Sequence, residues 1–212
     1  MNGLRERIIS TALAMSRSGL VRGTSGNISA RTERGFLITP SGMAYESLVP
    51  EDLPEMDFML RQISGNRKPS IEKEMHGLIL KNRNDVGAVV HAHSVYASAV
   101  ASARKDIPVI TDNIAAFFGC AVPCAEYAPA GSPELARNVL SVLGKGFGVL
   151  LANHGALCVG ATPEEALLRC EILEETAKIY VLSQLLGGAV ALDDKTAAEQ
   201  YSAMQKNYGQ TK

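Results

Sequence analysis

The chain has no tryptophan, an aromatic content of only 5%, and just four histidines in 212 residues. Basic and acidic residues nearly cancel, giving a formal net charge of −1, and no block of like charge appears. That argues against a nucleic-acid surface, which would show a basic patch. No run reaches the roughly 18 uninterrupted apolar residues that a membrane-spanning helix needs. The N-terminus carries Arg5, Glu6 and Arg7 and then a mixed run, without the apolar centre of a signal peptide. The four cysteines, Cys120, Cys124, Cys158 and Cys170, show no CxxC spacing and lie among apolar or small residues. They read as reduced, mostly buried thiols. The expectation is a cytoplasmic protein with neither a nucleic-acid nor a membrane partner.

What is present suits a globular core: 46% apolar and 20% charged residues. No repeat, low-complexity segment or linker interrupts the chain, so a single domain over residues 1–212 is expected, with a polar C-terminal tail from about 188. Leu4, Ile8, Ala12 and Met15 recur at helical spacing and predict a helix over 3–18. Short strands are expected at 28–30 and 35–39, and a helix from Pro69-Ser70 to about Asn82. Val86 to His91 reads as a buried strand and 94–103 as a small-residue helix. Residues 108–110 and 121–125 are candidate strands. Ser132-Pro133-Glu134 and Thr162-Pro163-Glu164-Glu165 are helix starts, with a capping residue, proline at the first position and acids in the first turn. Between them 148–152 reads as another buried strand. Helices alternate with strands, yet several strands fall close together, so the fold class is α/β with a mixed sheet.

The sharpest local feature is Val89-Val90-His91-Ala92-His93. Side chains two apart on a strand point the same way, so His91 and His93 project together from a strand end, where α/β proteins place ligands. Leu150-Leu151-Ala152-Asn153-His154-Gly155 has the same shape: a buried strand delivers His154 and stops at Gly155. Three of the four histidines at two such ends point to a divalent metal. Three imidazoles with one open position suit Zn²⁺, with Mn²⁺, Co²⁺ or Fe²⁺ as alternatives. Glu72, in the first helical turn after Pro69, is either a dipole partner for that helix or a general base beside the metal. His76 shares its helix face and is read as a supporting group, not a ligand. The turns Gly23-Thr24-Ser25-Gly26-Asn27 and Pro40-Ser41-Gly42, with Ser70 at a helix start, can present backbone N–H groups and hydroxyls to an anion.

These segments, together with Thr39-Pro40-Ser41-Gly42 and Asn153-His154-Gly155, resemble the class II aldolase/adducin family from the first helix to about residue 185. The resemblance implies a three-layer α/β/α fold around a central mixed sheet and a homotetramer with active sites at subunit interfaces. It implies Zn²⁺ on His91, His93 and His154, with Glu72 both a fourth ligand and the catalytic acid/base. It places a substrate phosphate at Thr24, Gly26, Asn27, Ser41, Gly42 and Ser70. The implied reaction is the reversible cleavage of a ketose or deoxyketose 1-phosphate to dihydroxyacetone phosphate and a short aldehyde. Two positions depart from the sugar-phosphate aldolases of the family: Ile71 stands where they have a second serine, and Asp112 where they have a catalytic tyrosine. A C-terminal tyrosine of those enzymes has two counterparts to choose from, Tyr201 and Tyr208. Asp112 keeps open the family's other reactions on the same metal: pentulose-phosphate 4-epimerisation, decarboxylation of a phosphorylated sugar acid, and methylthioribulose-phosphate dehydration. A non-enzymatic adducin-like structural module is the remaining alternative.

Overall fold

A computed structural model describes residues 2–207. One eight-stranded sheet lies between two layers of helices. In chain order the strands are β1 (Asn27–Arg31), β2 (Phe36–Ile38), β3 (Glu55–Met56), β4 (Gln62–Ser64), β5 (Ala88–Ala92), β6 (Cys124–Ala125), β7 (Gly148–Leu151) and β8 (Gly155–Gly160). Their spatial order is β4-β3-β2-β1-β5-β8-β7-β6, antiparallel throughout except for the parallel pair β6–β7. The sheet is therefore mixed, as the close spacing of the strands implies.

The helices are α1 (Asn2–Arg17), α2 (Lys73–Asn82), α3 (Val95–Ser102), α4 (Asp112–Phe118), α5 (Pro133–Leu143), α6 (Pro163–Ser183) and α7 (Asp194–Asn207). Strand alternation sorts the core into two halves. Ile28, Ala30, Ala88, Val90, Ala92 and Cys158 pack with apolar residues of α1, α3, α4, α6 and α7. Val89, Leu157, Val159, Val149 and Leu151 point the other way and pack with α2 and α5. His91 follows Val90, so it faces the α2 layer, which is where Glu72 enters. No helix among the described residues is long and apolar enough to cross a membrane.

The helix starts are made as the sequence implies: Ser132 accepts from the Leu135 N–H and Thr162 from the Glu165 N–H. Elsewhere the structure departs from expectation. Residues 108–110 form no strand; Ile107 makes a single bridge with Val122 instead. The seven-residue α4 has too few residues to show a helical period, yet Thr111 caps it and Gly119 ends it in the left-handed conformation, φ 68°. The polar tail is partly helical: α7 buries Ala197 and stacks Tyr201 on Phe147, ring centroids 5.7 Å apart. All four cysteines are free; Cys158 and Cys170 are buried, Cys124 is half-buried and Cys120 is exposed.

Candidate metal centre

The antiparallel register of β1 on β5 sets Asn27 opposite His91 and Ser29 opposite Val89. Directly paired residues share a face, so Asn27, Ser29 and His91 all look toward the start of α2. Glu72 sits there, at the residue before α2 begins, not inside its first turn. Its side chain makes no capping hydrogen bond, and its carboxylate turns to the histidines. Ser70 shapes this approach: it precedes the helix by three residues, and its hydroxyl accepts from the Glu72 N–H at 3.2 Å.

His93 lies one residue past the end of β5, and its N–H donates to the Leu20 carbonyl at 3.1 Å. His154 is not on a strand that stops. β7 and β8 are consecutive antiparallel strands, and His154 is in the tight turn between them. Asn153 turns the chain with φ 57°, a left-handed conformation that asparagine tolerates better than most residues. Gly155 then lets β8 pass β5, because a Cβ there would lie 2.4 Å from the Ala92 carbonyl oxygen. The Arg104 guanidinium donates to Asn153 Oδ1 at 3.3 Å and holds the outside of the turn.

These elements bring Glu72, His91, His93 and His154 together, one donor atom from each lying within 4.8 Å of all the others. His91 Nε2 is 2.8 Å from His93 Nε2 and 3.2 Å from Glu72 Oε2, and His154 Nε2 is 3.6 Å from Glu72 Oε1. Donor atoms about 2.0–2.1 Å from a tetrahedral zinc stand roughly 3.4 Å apart, so these separations bracket the expected spacing.

Protonation supports the same occupant. His91 Nδ1 faces the Ala156 carbonyl at 2.9 Å. A carbonyl only accepts, so Nδ1 carries the hydrogen and Nε2 is left with a lone pair. Burial pushes the His91 imidazole down to about 4, and burial together with His154 also lowers His93. Burial pushes the Glu72 carboxyl up, but His91, the Asn27 amide and His154 outweigh it, leaving it below its ordinary value. At neutral pH an imidazole lone pair thus confronts a carboxylate at 3.2 Å. That contact is repulsive unless a cation lies between them. Glu72 Oε1 is buried with no hydrogen-bond partner, an expensive state for a carboxylate oxygen that a cation would relieve. The residues fit a divalent metal.

Around this group the expected phosphate residues divide. Asn27 and Ser70 are buried and engaged with Glu72: Asn27 Nδ2 donates to Oε2 at 2.8 Å, and Ser70 accepts from the backbone N–H. Thr24, Ser41 and Gly42 are exposed. The 39–41 and 68–70 segments run antiparallel through the Pro40–Pro69 bridge, which sets the Ser41 and Ser70 turns side by side. Gly26, φ 76°, packs on the back of His91: a Cβ would lie 2.7 Å from the His91 carbonyl oxygen and 2.6 Å from Val21 Cγ1. Gly26→Ala is therefore expected to cost about 1–3 kcal/mol, as overpacking does. Urea unfolding would show this as a lower midpoint; an unchanged midpoint would mean the loop yields freely.

Other residues are supporting or remote. His76 is fully buried, bonded through Nδ1 to Ser29 Oγ at 2.7 Å, and outside the four-residue group, which matches its reading as a supporting group. Burial pushes it down to about 3. Asp112 is exposed at the start of α4 and makes no hydrogen bond or ion pair with the group among the described residues. Tyr201 packs beside Phe147, at the opposite end of β7 from His154; Tyr208 lies outside the described residues. Sequence reasoning missed Tyr45, whose buried hydroxyl donates to the Gly26 and Ser25 carbonyls at 2.8 and 3.1 Å and pins the Gly23–Asn27 turn. Nothing in the local sequence links positions 45 and 26.

Residues 6–181 match the family described as Class II Aldolase and Adducin N-terminal domain. The chain belongs to the class II aldolase and adducin family. It is an enzyme, a lyase of the class II aldolase type, and shares that type's dependence on a metal. It is 38% identical over 180 residues to the L-fuculose phosphate aldolase of Escherichia coli K12, covering 85% of this chain and 83% of that protein. It is 36% identical over 208 residues to the 5-deoxy-D-ribulose 1-phosphate aldolase of Bacillus thuringiensis serovar kurstaki, covering 97% of each. A solved L-fuculose 1-phosphate aldolase superposes with a TM-score of 0.94 at 32% identity over 97% of both chains. This class II aldolase thus has the α/β/α architecture of its family.

Proposed function

We propose that this enzyme reversibly cleaves a ketose or deoxyketose 1-phosphate to dihydroxyacetone phosphate and a short aldehyde, using Zn²⁺ held by His91, His93, His154 and Glu72. The observation that carries this reading is the converging Glu72–His91–His93–His154 group. The relatives named above support the substrate class, since their names give L-fuculose phosphate and 5-deoxy-D-ribulose 1-phosphate as what they act on. When bound, the cation supplies Lewis-acid stabilisation of the negative charge that carbon–carbon cleavage leaves on the three-carbon fragment.

The chain's own groups do the rest. Glu72 Oε1 faces into the group without a hydrogen-bond partner while Oε2 is held by Asn27. One oxygen is thus anchored and the other is free to carry a proton to or from the reacting carbon. Thr24, Gly26, Asn27, Ser41, Gly42 and Ser70 hold the phosphate and position the sugar through a part of it that does not react. Asp112 takes the hydroxyl proton whose loss opens the bond. Its exposed position, apart from the metal ligands of the same chain, supports a homotetramer with sites between subunits and a neighbour supplying this group. The exposed Ile179, Leu182, Leu185 and Leu186 near the end of α6 support self-association as well. The aldolase names of the relatives do not favour epimerase, decarboxylase or dehydratase chemistry, and an enzyme of this family is not a purely structural module.

Zinc-loaded enzyme is expected to release dihydroxyacetone phosphate from L-fuculose 1-phosphate or 5-deoxyribulose 1-phosphate, and EDTA to abolish the release. A coupled assay with glycerol-phosphate dehydrogenase reads this directly. No release from a panel of ketose 1-phosphates would overturn the proposal.

A further inference from the structure

The first turn of α3, which follows His93 directly, is not capped by its own sequence. Ser94 occupies the N-cap position, but its side chain accepts no hydrogen bond there, and the turn contains no acid. The exposed N–H groups of such a turn need acceptors. They find them on another helix. Glu174, in the middle of α6, accepts from the Tyr96 N–H through Oε1 at 2.9 Å and from the Ala97 N–H through Oε2 at 2.8 Å. Lys178, one turn further along α6, lies 5.6 Å from the centroid of the Tyr96 ring.

His93 needs such a hold. It lies beyond β5 and so gains nothing from the strand ladder. Its backbone is fixed on one side by the Leu20 carbonyl and on the other by the start of α3. The helix that carries Glu174 is itself tied to the sheet and to α4. Arg169 donates to the Val159 and Phe117 carbonyls at 2.8 and 3.2 Å, and Cys170 Sγ sits 3.7 Å from the carbonyl of Val90, the residue before His91. A rigid path therefore runs from β5 through α6 and Glu174 to the turn that presents His93.

We propose that Glu174 is a positioning residue, which caps α3 from α6 and thereby sets His93 at ligating distance from His91 and His154. This rests on the metal reading above. Groups bonded directly to a metal ligand typically change affinity about 10–100-fold; Glu174 acts through the α3 turn instead, so the lower end of that range, about tenfold, is expected for Glu174→Ala. Glu174→Gln keeps one carbonyl oxygen and is expected to fall between. The test measures zinc affinity by chelator competition and the visible absorption of the Co²⁺-substituted full chain. Ser132→Ala, which removes the cap of α5 on the opposite helix layer, serves as the control for general destabilisation. Weakening of at least fivefold in Glu174→Ala with an altered Co²⁺ spectrum, against an unchanged Ser132→Ala, supports the proposal. Weakening below fivefold, or equal weakening in the control, overturns it whatever happens to the melting temperature. If Glu174→Ala does not fold, Glu174→Gln carries the same comparison, with any weakening beyond twofold counted as support. Failure of the unaltered chain to bind zinc would instead overturn the metal reading.

Discussion

Glu72→Gln is expected to lower kcat by about 10²–10⁴-fold, the range a positioned acid/base commonly contributes. The substitution preserves shape and one carbonyl oxygen, so the Asn27 amide keeps an acceptor where Oε2 now stands at 2.8 Å. It removes the ability to take up and return a proton. It also removes the negative charge that the three imidazoles surround, so metal content must be measured alongside. Exchange of the dihydroxyacetone phosphate carbon-bound proton with deuterated solvent separates the two effects. Proton transfer at Glu72 predicts that this exchange is lost in fully zinc-loaded Glu72→Gln. A kcat within tenfold of the unaltered enzyme, at equal zinc content, would remove Glu72 from the chemistry.

The second large effect is on stability. A ligand present at about 1,000 times its Kd stabilises the folded state by about 4.1 kcal/mol. For a chain of this size each kcal/mol moves the melting temperature by about 2–4 °C. Zinc is therefore expected to raise Tm by about 8–16 °C over the EDTA-treated protein, and His91→Ala to abolish the increment. The stability of the metal-free chain should also fall in acid. His91 and His76 have folded values of about 4 and about 3 against an ordinary 6.5. Below about pH 6.5 the unfolded chain gains protons that the folded chain does not, so stability falls as pH drops through the interval from about 6.5 to about 3. Metal binding is lost only at lower pH, because in the folded chain protonation occupies the ligating lone pair of His91 at about 4. Calorimetry of the EDTA-treated protein from pH 8 to pH 4 checks the stability loss; a melting temperature that stays constant below pH 6.5 would contradict it.

Much of the site was legible in the residues. The period of two predicted that His91 and His93 project together, and they do converge although His93 lies one residue past β5; three of four histidines after buried strands pointed to one centre. Helix caps at Ser132 and Thr162 were legible because each is a local device, complete within four residues. What escaped was either short or nonlocal. The seven-residue α4 carries too little pattern to stand out. The β7–β8 hairpin was hidden because Gly155 reads as a stop, whereas it is a close approach to the Ala92 carbonyl.

The sequence by itself determined the chemistry available: three imidazoles, one acid before α2, turns rich in hydroxyls and glycine, and a composition suited to an α/β core. Only the tertiary structure decided how those groups are spent. Register placed Asn27 opposite His91, so its amide anchors the Glu72 carboxylate, and Ser70 shapes the turn instead of opening the helix. A hairpin, not a strand end, delivered His154. A glutamate 81 residues from His93 in sequence took over the capping of α3. Local patterns record what a segment does to itself. Contacts between distant segments are settled by packing and register, which no single segment encodes.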